Sequence, residues 1–148
     1  MNDVPLVELL PSADEAGAYS LPAELLDTLA QAARELQFLH RRIDLLGCGD
    51  KDVALDRIAQ ALEFPEWFGR NWDALADCLS DLEWLESANG YVLALDNAQE
   101  LRATSLDDFA TLIEVLDDVA SAWRKPKVPF WSFLCERGAL DSLGDGAP

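Results

Sequence analysis

Three aspartates, Asp73, Asp77 and Asp81, recur at every fourth position between Trp72 and Leu82. On a helix this spacing puts them on one face, one turn apart. Carboxylates so placed can act as acid–base groups, coordinate Mg²⁺, or offer counter-charges to the arginines and lysines of a basic macromolecule. The first two roles need a cleft, and a solvent-facing helix row is convex. The row also costs a little, because like charges four residues apart repel by roughly 0.2–0.5 kcal/mol per pair. Just before it, Pro65-Glu66-Trp67-Phe68-Gly69 brings two aromatic side chains beside the carboxylates. Aromatics at the edge of a charged patch are the usual anchors of a protein interface.

The helix that must carry the row has a clear start signal. Asn71 can accept hydrogen bonds from the free N–H groups of a first turn, and Asp73 falls where the positive end of the helix dipole favours a carboxylate. Trp72, Leu75, Ala76, Leu79 and Leu82 then form an apolar stripe at three- and four-residue steps. Gly69 reads as a residue chosen for a backbone angle that others avoid.

This run, with Asp73-Ala74-Leu75 and Asp77-Cys78-Leu79 at fixed distances from the aromatic turn, resembles the barstar family of ribonuclease inhibitors without a gap. The resemblance extends from Phe38 to Cys135 and leaves residues 1–37 as an addition, so the chain is similar to a longer branch of that family. It implies a small parallel sheet covered by helices and no enzymatic activity. It also implies a partner, a basic ribonuclease or nuclease toxin bound one to one, with the inhibitor itself a monomer. The implied partner-binding residues are Trp67, Phe68, Gly69, Asn71, Asp73, Ala76 and Asp77. Asp118 joins them by an ungapped match of Leu112, Ile113, Val115, Leu116 and Val119 on a later helix. Asp73 and Asp77 would present themselves to the nuclease as substrate phosphates do. Two departures bear on the partner: Ala76 stands where the family carries a tryptophan, and Trp72 where it carries a leucine. Phe68 reads equally as cover for the core, and Asp81 as plain surface.

The remaining segments read as alternating helices and strands. Residues 1–16 show no period and are expected to form a poorly ordered lead-in. Ser20 and Pro22 announce a helix with Leu25, Leu26, Leu29, Ala33 and Leu36 on its apolar face. Phe38 to Leu46 reads as a strand and Lys51 to Glu63 as a helix, joined by Gly47-Cys48-Gly49-Asp50. That turn lacks the third glycine and the lysine of a phosphate loop. Tyr91 to Leu95 is a short apolar run suited to a buried central strand. Ser105 to Asp108 resembles a capping box before the longest helix, and Val128 to Cys135 is the last strand. The expected fold is therefore α/β, with about three parallel strands, covering helices and an extra N-terminal helix. Residues 17–136 would form the domain and 137–148 a flexible tail.

Composition limits the partners. Eleven basic residues against twenty-eight acidic ones leave a formal charge of −17. Such a surface repels nucleic acid and anionic membranes and attracts a basic protein. No apolar run is long enough to span a bilayer, and Met1-Asn2-Asp3 does not begin a secretory signal. Three widely spaced cysteines fit reduced thiols in the cytoplasm. With one histidine, His40, and no close cysteines, neither a zinc site nor another cofactor is expected. The rival reading keeps the fold but makes the chain an acidic interaction module, or a nucleic-acid mimic, for a different basic protein.

Overall fold

Strands that are apolar on both faces must be covered on both, and the computed structural model, which describes residues 5–85 and 88–137, achieves this with two helical layers. Its strands are β1 (Ala18–Ser20), β2 (Leu39–Asp44), β3 (Tyr91–Asp96) and β4 (Phe130–Leu134). They form one parallel sheet in the order β1-β4-β3-β2. The helices are α1 (Leu6–Leu9), α2 (Leu26–Glu35), α3 (Lys51–Ala61), α4 (Trp72–Asp81), α5 (Gln99–Thr104) and α6 (Leu106–Arg124).

Alternate residues of the central strands go to opposite layers. Tyr91, Leu93 and Leu95 of β3 and Phe130 and Leu134 of β4 meet Leu55 and Ile58 of α3, Leu75 and Leu79 of α4, and Leu112 and Leu116 of α6. Val92, Ala94, Trp131 and Phe133 meet Leu10, Leu26, Leu29 and Ala33 on the other side. The path from β2 through β3 to β4 runs across the sheet in one direction with α3, α4 and α6 on one face. The jump from β1 to β2 runs the other way with α2 on the opposite face. Reversing both direction and face preserves the hand of the crossover, as parallel sheets require.

The α/β class and the parallel sheet agree with the sequence reading; most of the differences lie near the N-terminus. A fourth strand, β1, pairs with the far side of β4 and is also held by Asp117 of α6, whose carboxylate accepts the Ala18 N–H at 2.7 Å. Residues 5–16, expected as a loose lead-in, are packed: Leu10 and Ala16 are fully buried, and the Trp131 indole N–H donates to the Leu10 carbonyl at 2.8 Å. Leu25, expected on the apolar face of the first long helix, is exposed because Ala23–Leu25 forms a 3₁₀ turn ahead of α2. The expected capping box does not close. Asp108 Oδ2 accepts from the Lys51 N–H and from the Ser105 hydroxyl, so Ser105 provides no side-chain cap to α6. Apart from Arg137, the expected tail of residues 137–148 lies outside the described residues. Among the described residues no helix is long and apolar enough to cross a membrane.

The packed N-terminus has a measurable consequence. Deleting residues 1–16 removes the buried Leu10 and the acceptor of a buried indole, and should lower the unfolding free energy by about 3 kcal/mol. Urea denaturation checks this; an unchanged midpoint would mean the segment adds nothing to the core.

His40, on β2, supplies a second test. Its Nε2 is buried without a hydrogen-bond partner among the described residues. Burial, reinforced by Arg41, Arg34 and Arg42, pushes its pKa below the ordinary 6.5. The folded state thus holds the neutral ring, while the unfolded chain takes up a proton as pH falls through 6.5. Stability should drop on that acid side and be full above it. Since His40 is the only histidine, His40→Gln should flatten the stability profile between about pH 5 and 7.5. A wild-type profile already flat there would contradict the assignment. Asp44 and Asp96, whose pKa values lie below their ordinary 3.8, act only in a separate window under that pH.

Candidate protein-binding site

The turn that leads into α4 is built from local backbone bonds. Phe64 N–H reaches the Ala59 carbonyl at 2.9 Å and Phe68 N–H the Pro65 carbonyl at 3.0 Å. The left-handed residue of the turn is Arg70, with φ of 54°. Gly69 is not in that region, contrary to the sequence expectation. A Cβ on Gly69 would meet only Ala74 Cβ and Asn71 Nδ2, each at an ordinary 3.5 Å. The chain reverses through Arg70, whose guanidinium pairs with Asp56 of α3 at 2.9 Å.

Asn71 performs the expected cap. Its backbone is extended and its Oδ1 accepts the Ala74 N–H at 2.7 Å. The amide nitrogen lies 3.4 Å from the Gly69 carbonyl, so the side chain is engaged within its own turn. Leu75, Cys78 and Leu79 bury the inner face of α4, with Trp72 and Ala76 half-buried beside them. Leu82, left-handed at φ 51°, ends the helix and bonds back to Cys78 at 3.1 Å. α6 supports α4 from the side, where the Trp123 indole N–H donates to the Leu79 carbonyl at 2.9 Å. The row is thus displayed from a helix fixed at its start, its end and its flank.

Asp73, Asp77 and Asp81 are all exposed. Among the described residues none of them has an ion-pair or side-chain hydrogen-bond partner, in contrast to Asp44, Asp56, Asp96 and Asp108. Asp73 and Asp77 therefore stand one turn apart and exposed, with no side-chain partner among the described residues. Asp118 is exposed on α6, opposite the buried side of that helix. It belongs to a different element from the other seven candidates, which lie together on the turn and α4.

Trp67 is 66% exposed, the most exposed large apolar side chain among the described residues. Phe68 turns inward and packs against the core. Phe64 meets Phe68 edge to face at 4.8 Å and Trp84 at 5.9 Å, and Trp84 meets Trp67 at 6.3 Å with an interplanar angle of 88°. Trp84 donates its indole N–H to the Leu62 carbonyl at 3.0 Å. Trp84 is not among the site candidates read from the sequence. The available signal was a large aromatic in a stretch with no apolar period of its own.

The three cysteines are free and buried. Burial raises the Cys78 pKa, with Asp77 and Asp81 adding to the shift, and raises Cys135 to about 11. None is poised as a nucleophile. Among the described residues no group of three or more histidine, cysteine, aspartate or glutamate side chains is placed to hold a metal ion. An apolar cavity of about 320 Å³ lies by α1 and β1, lined by Leu6, Leu9, Tyr19, Leu21, Trp131 and Phe133, on the layer away from α4.

Comparison with known proteins covers the same stretch. The family model described as Barstar (barnase inhibitor) matches residues 38–135. No curated protein matches the sequence. Among solved structures, a chain of "Structure of Drosophila ORC bound to DNA" superposes with a TM-score of 0.55 at 16% identity, over 89% of this chain and 35% of that one. At that identity the likeness is one of fold alone, and this chain spans about a third of the other's length.

Proposed function

Because this chain belongs to the barstar family, we propose that it inhibits a basic ribonuclease by covering its RNA-binding site with the turn and helix from Trp67 to Asp77. The observation that carries the proposal is the pair Asp73 and Asp77: exposed, unpaired among the described residues, one turn apart, and flanked by an exposed tryptophan. Carboxylates so placed match the arginines and lysines that an RNA-cleaving enzyme uses to hold phosphates. The −17 charge steers the encounter and raises its rate, most strongly at low salt. Binding is one to one, and the protein contributes no catalysis of its own. Three buried free thiols suit a reducing compartment, so it acts in the cytoplasm. There it protects the cell from a nuclease of its own or one delivered by a competitor.

The test is RNA cleavage by basic ribonucleases drawn from the source cell's secretome and toxin repertoire, titrated with this protein. Cleavage should stop at one equivalent of inhibitor. Failure against all of them, together with capture of a basic protein that is not a nuclease, would replace this reading with that of a general acidic interaction module.

A further inference from the structure

The most exposed aromatic of the site is held from behind by a residue outside the turn and α4. Trp67 leaves two thirds of its surface to solvent, and an indole on a surface turn would ordinarily sample several rotamers. Here its ring stands at 88° to that of Trp84, with centroids 6.3 Å apart, the edge-to-face arrangement that aromatic pairs favour. Trp84 is fixed in turn: its N–H reaches Leu62, the residue that ends α3, at 3.0 Å, and its ring lies at 89° to Phe64. Phe64, Phe68 and Trp84 all pack on the core. Trp67 is therefore the outer end of a run of rings whose inner members pack on the core, and Trp84 is the link.

We infer that Trp84 is a positioning residue for partner binding: it holds the Trp67 indole in one orientation in the free protein, so that the ordering cost is met before the partner arrives. Trp84 need not touch the partner to do this. The inference rests on the proposed inhibitory role of the turn, and it names the residue that sets the geometry of its aromatic anchor.

The experiment has two arms. In the free protein, ¹⁵N relaxation of the Trp67 indole N–H reports its mobility on the picosecond-to-nanosecond timescale. The order parameter should be near that of rigid backbone, about 0.85, in the wild type and fall below about 0.6 in Trp84→Leu. Trp84→Phe keeps an aromatic edge toward Trp67 but loses the bond to Leu62, and should recover most of the order. In the complex with the inhibited ribonuclease, Trp84→Leu should weaken binding about three- to tenfold. Combined with Trp67→Ala it should add almost nothing to the loss from Trp67→Ala alone.

Unchanged Trp67 mobility in a folded Trp84→Leu, or fully additive losses, would overturn the inference while leaving ribonuclease inhibition intact. Should Trp84→Leu not fold, Trp84→Phe and Trp84→Met give the same two comparisons. If the wild type inhibits no ribonuclease, the proposed function fails, and the relaxation arm still decides whether Trp84 orders Trp67.

Discussion

Asp77→Ala is expected to weaken ribonuclease inhibition by at least about thirtyfold, ~2 kcal/mol, while leaving the melting temperature unchanged. The two halves of that result come from one observation: the Asp77 carboxylate is exposed and bonded to nothing among the described residues. Removing it breaks no hydrogen bond or ion pair among the described residues and relieves repulsion from Asp73 and Asp81, worth roughly 0.2–0.5 kcal/mol per pair. In the complex the same change strands desolvated arginines or lysines without their counter-charge, which commonly costs about 2–5 kcal/mol. Asp27→Ala is the matched control. Asp27 is an exposed acid on α2, in the layer on the other side of the sheet. Its loss should alter the association rate slightly, through net charge, and the dissociation rate hardly at all. Inhibition constants with separate on- and off-rates decide the matter. Equal losses from the two variants would mean that bulk charge, and not α4, drives binding.

Asp96→Ala should produce the opposite pattern, a large loss of stability, about 2–4 kcal/mol in urea unfolding. Asp96 closes β3 and is fully buried. Burial works to raise its pKa, but bonds from Arg137, Arg42 and the Asn97 N–H outweigh it and hold the carboxyl below its ordinary range. Arg137 Nε donates to Oδ1 at 2.7 Å, the Asn97 N–H to the same oxygen at 2.8 Å, and Arg42 to Oδ2. Hydrogen bonds to a charge contribute about 1.5–3 kcal/mol each where water is excluded. Both arginines are about half exposed, so solvent screens their share and the total stays well under the simple sum. Asp96→Asn preserves volume and should fall between alanine and wild type. A loss below about 1 kcal/mol for alanine would show that the backbone alone holds the ends of β3 and β4 together.

How far each part could be read in advance depends on how local its cause is. The start of α4 was legible to the residue because its cap, its dipole partner and its apolar stripe all lie in one short run. β3 was legible because a strand buried on both faces has no polar alternation to confuse it. β1 was not: three residues, two of them exposed, carry no period, and the strand exists because β4 offers it an edge and Asp117 a bond. The capping box misled because Asp108 is claimed by Lys51, more than fifty residues earlier in the chain. Gly69 misled because the strained angle fell on its neighbour Arg70, and nothing in the local run distinguishes the two positions. In the site, the carboxylates and Trp67 could be picked out by type and spacing, whereas Trp84 acquires its place only when the chain folds back over Leu62.

The strand order also sets a timetable for synthesis. β4, the last of the four described strands, lies in the interior of the sheet, between β3 and β1. Until it emerges, β1 has no edge to join, and Leu10 and Phe133 have no common layer in which to meet. A growing chain can pair β2 with β3 but cannot close either face. At ordinary elongation rates these 148 residues take roughly seven to thirty seconds to make, and closure of either face waits until β4 is out. Under the proposed inhibitory role a partly made copy gives no protection, because the layers that hold α4 in place are not yet closed.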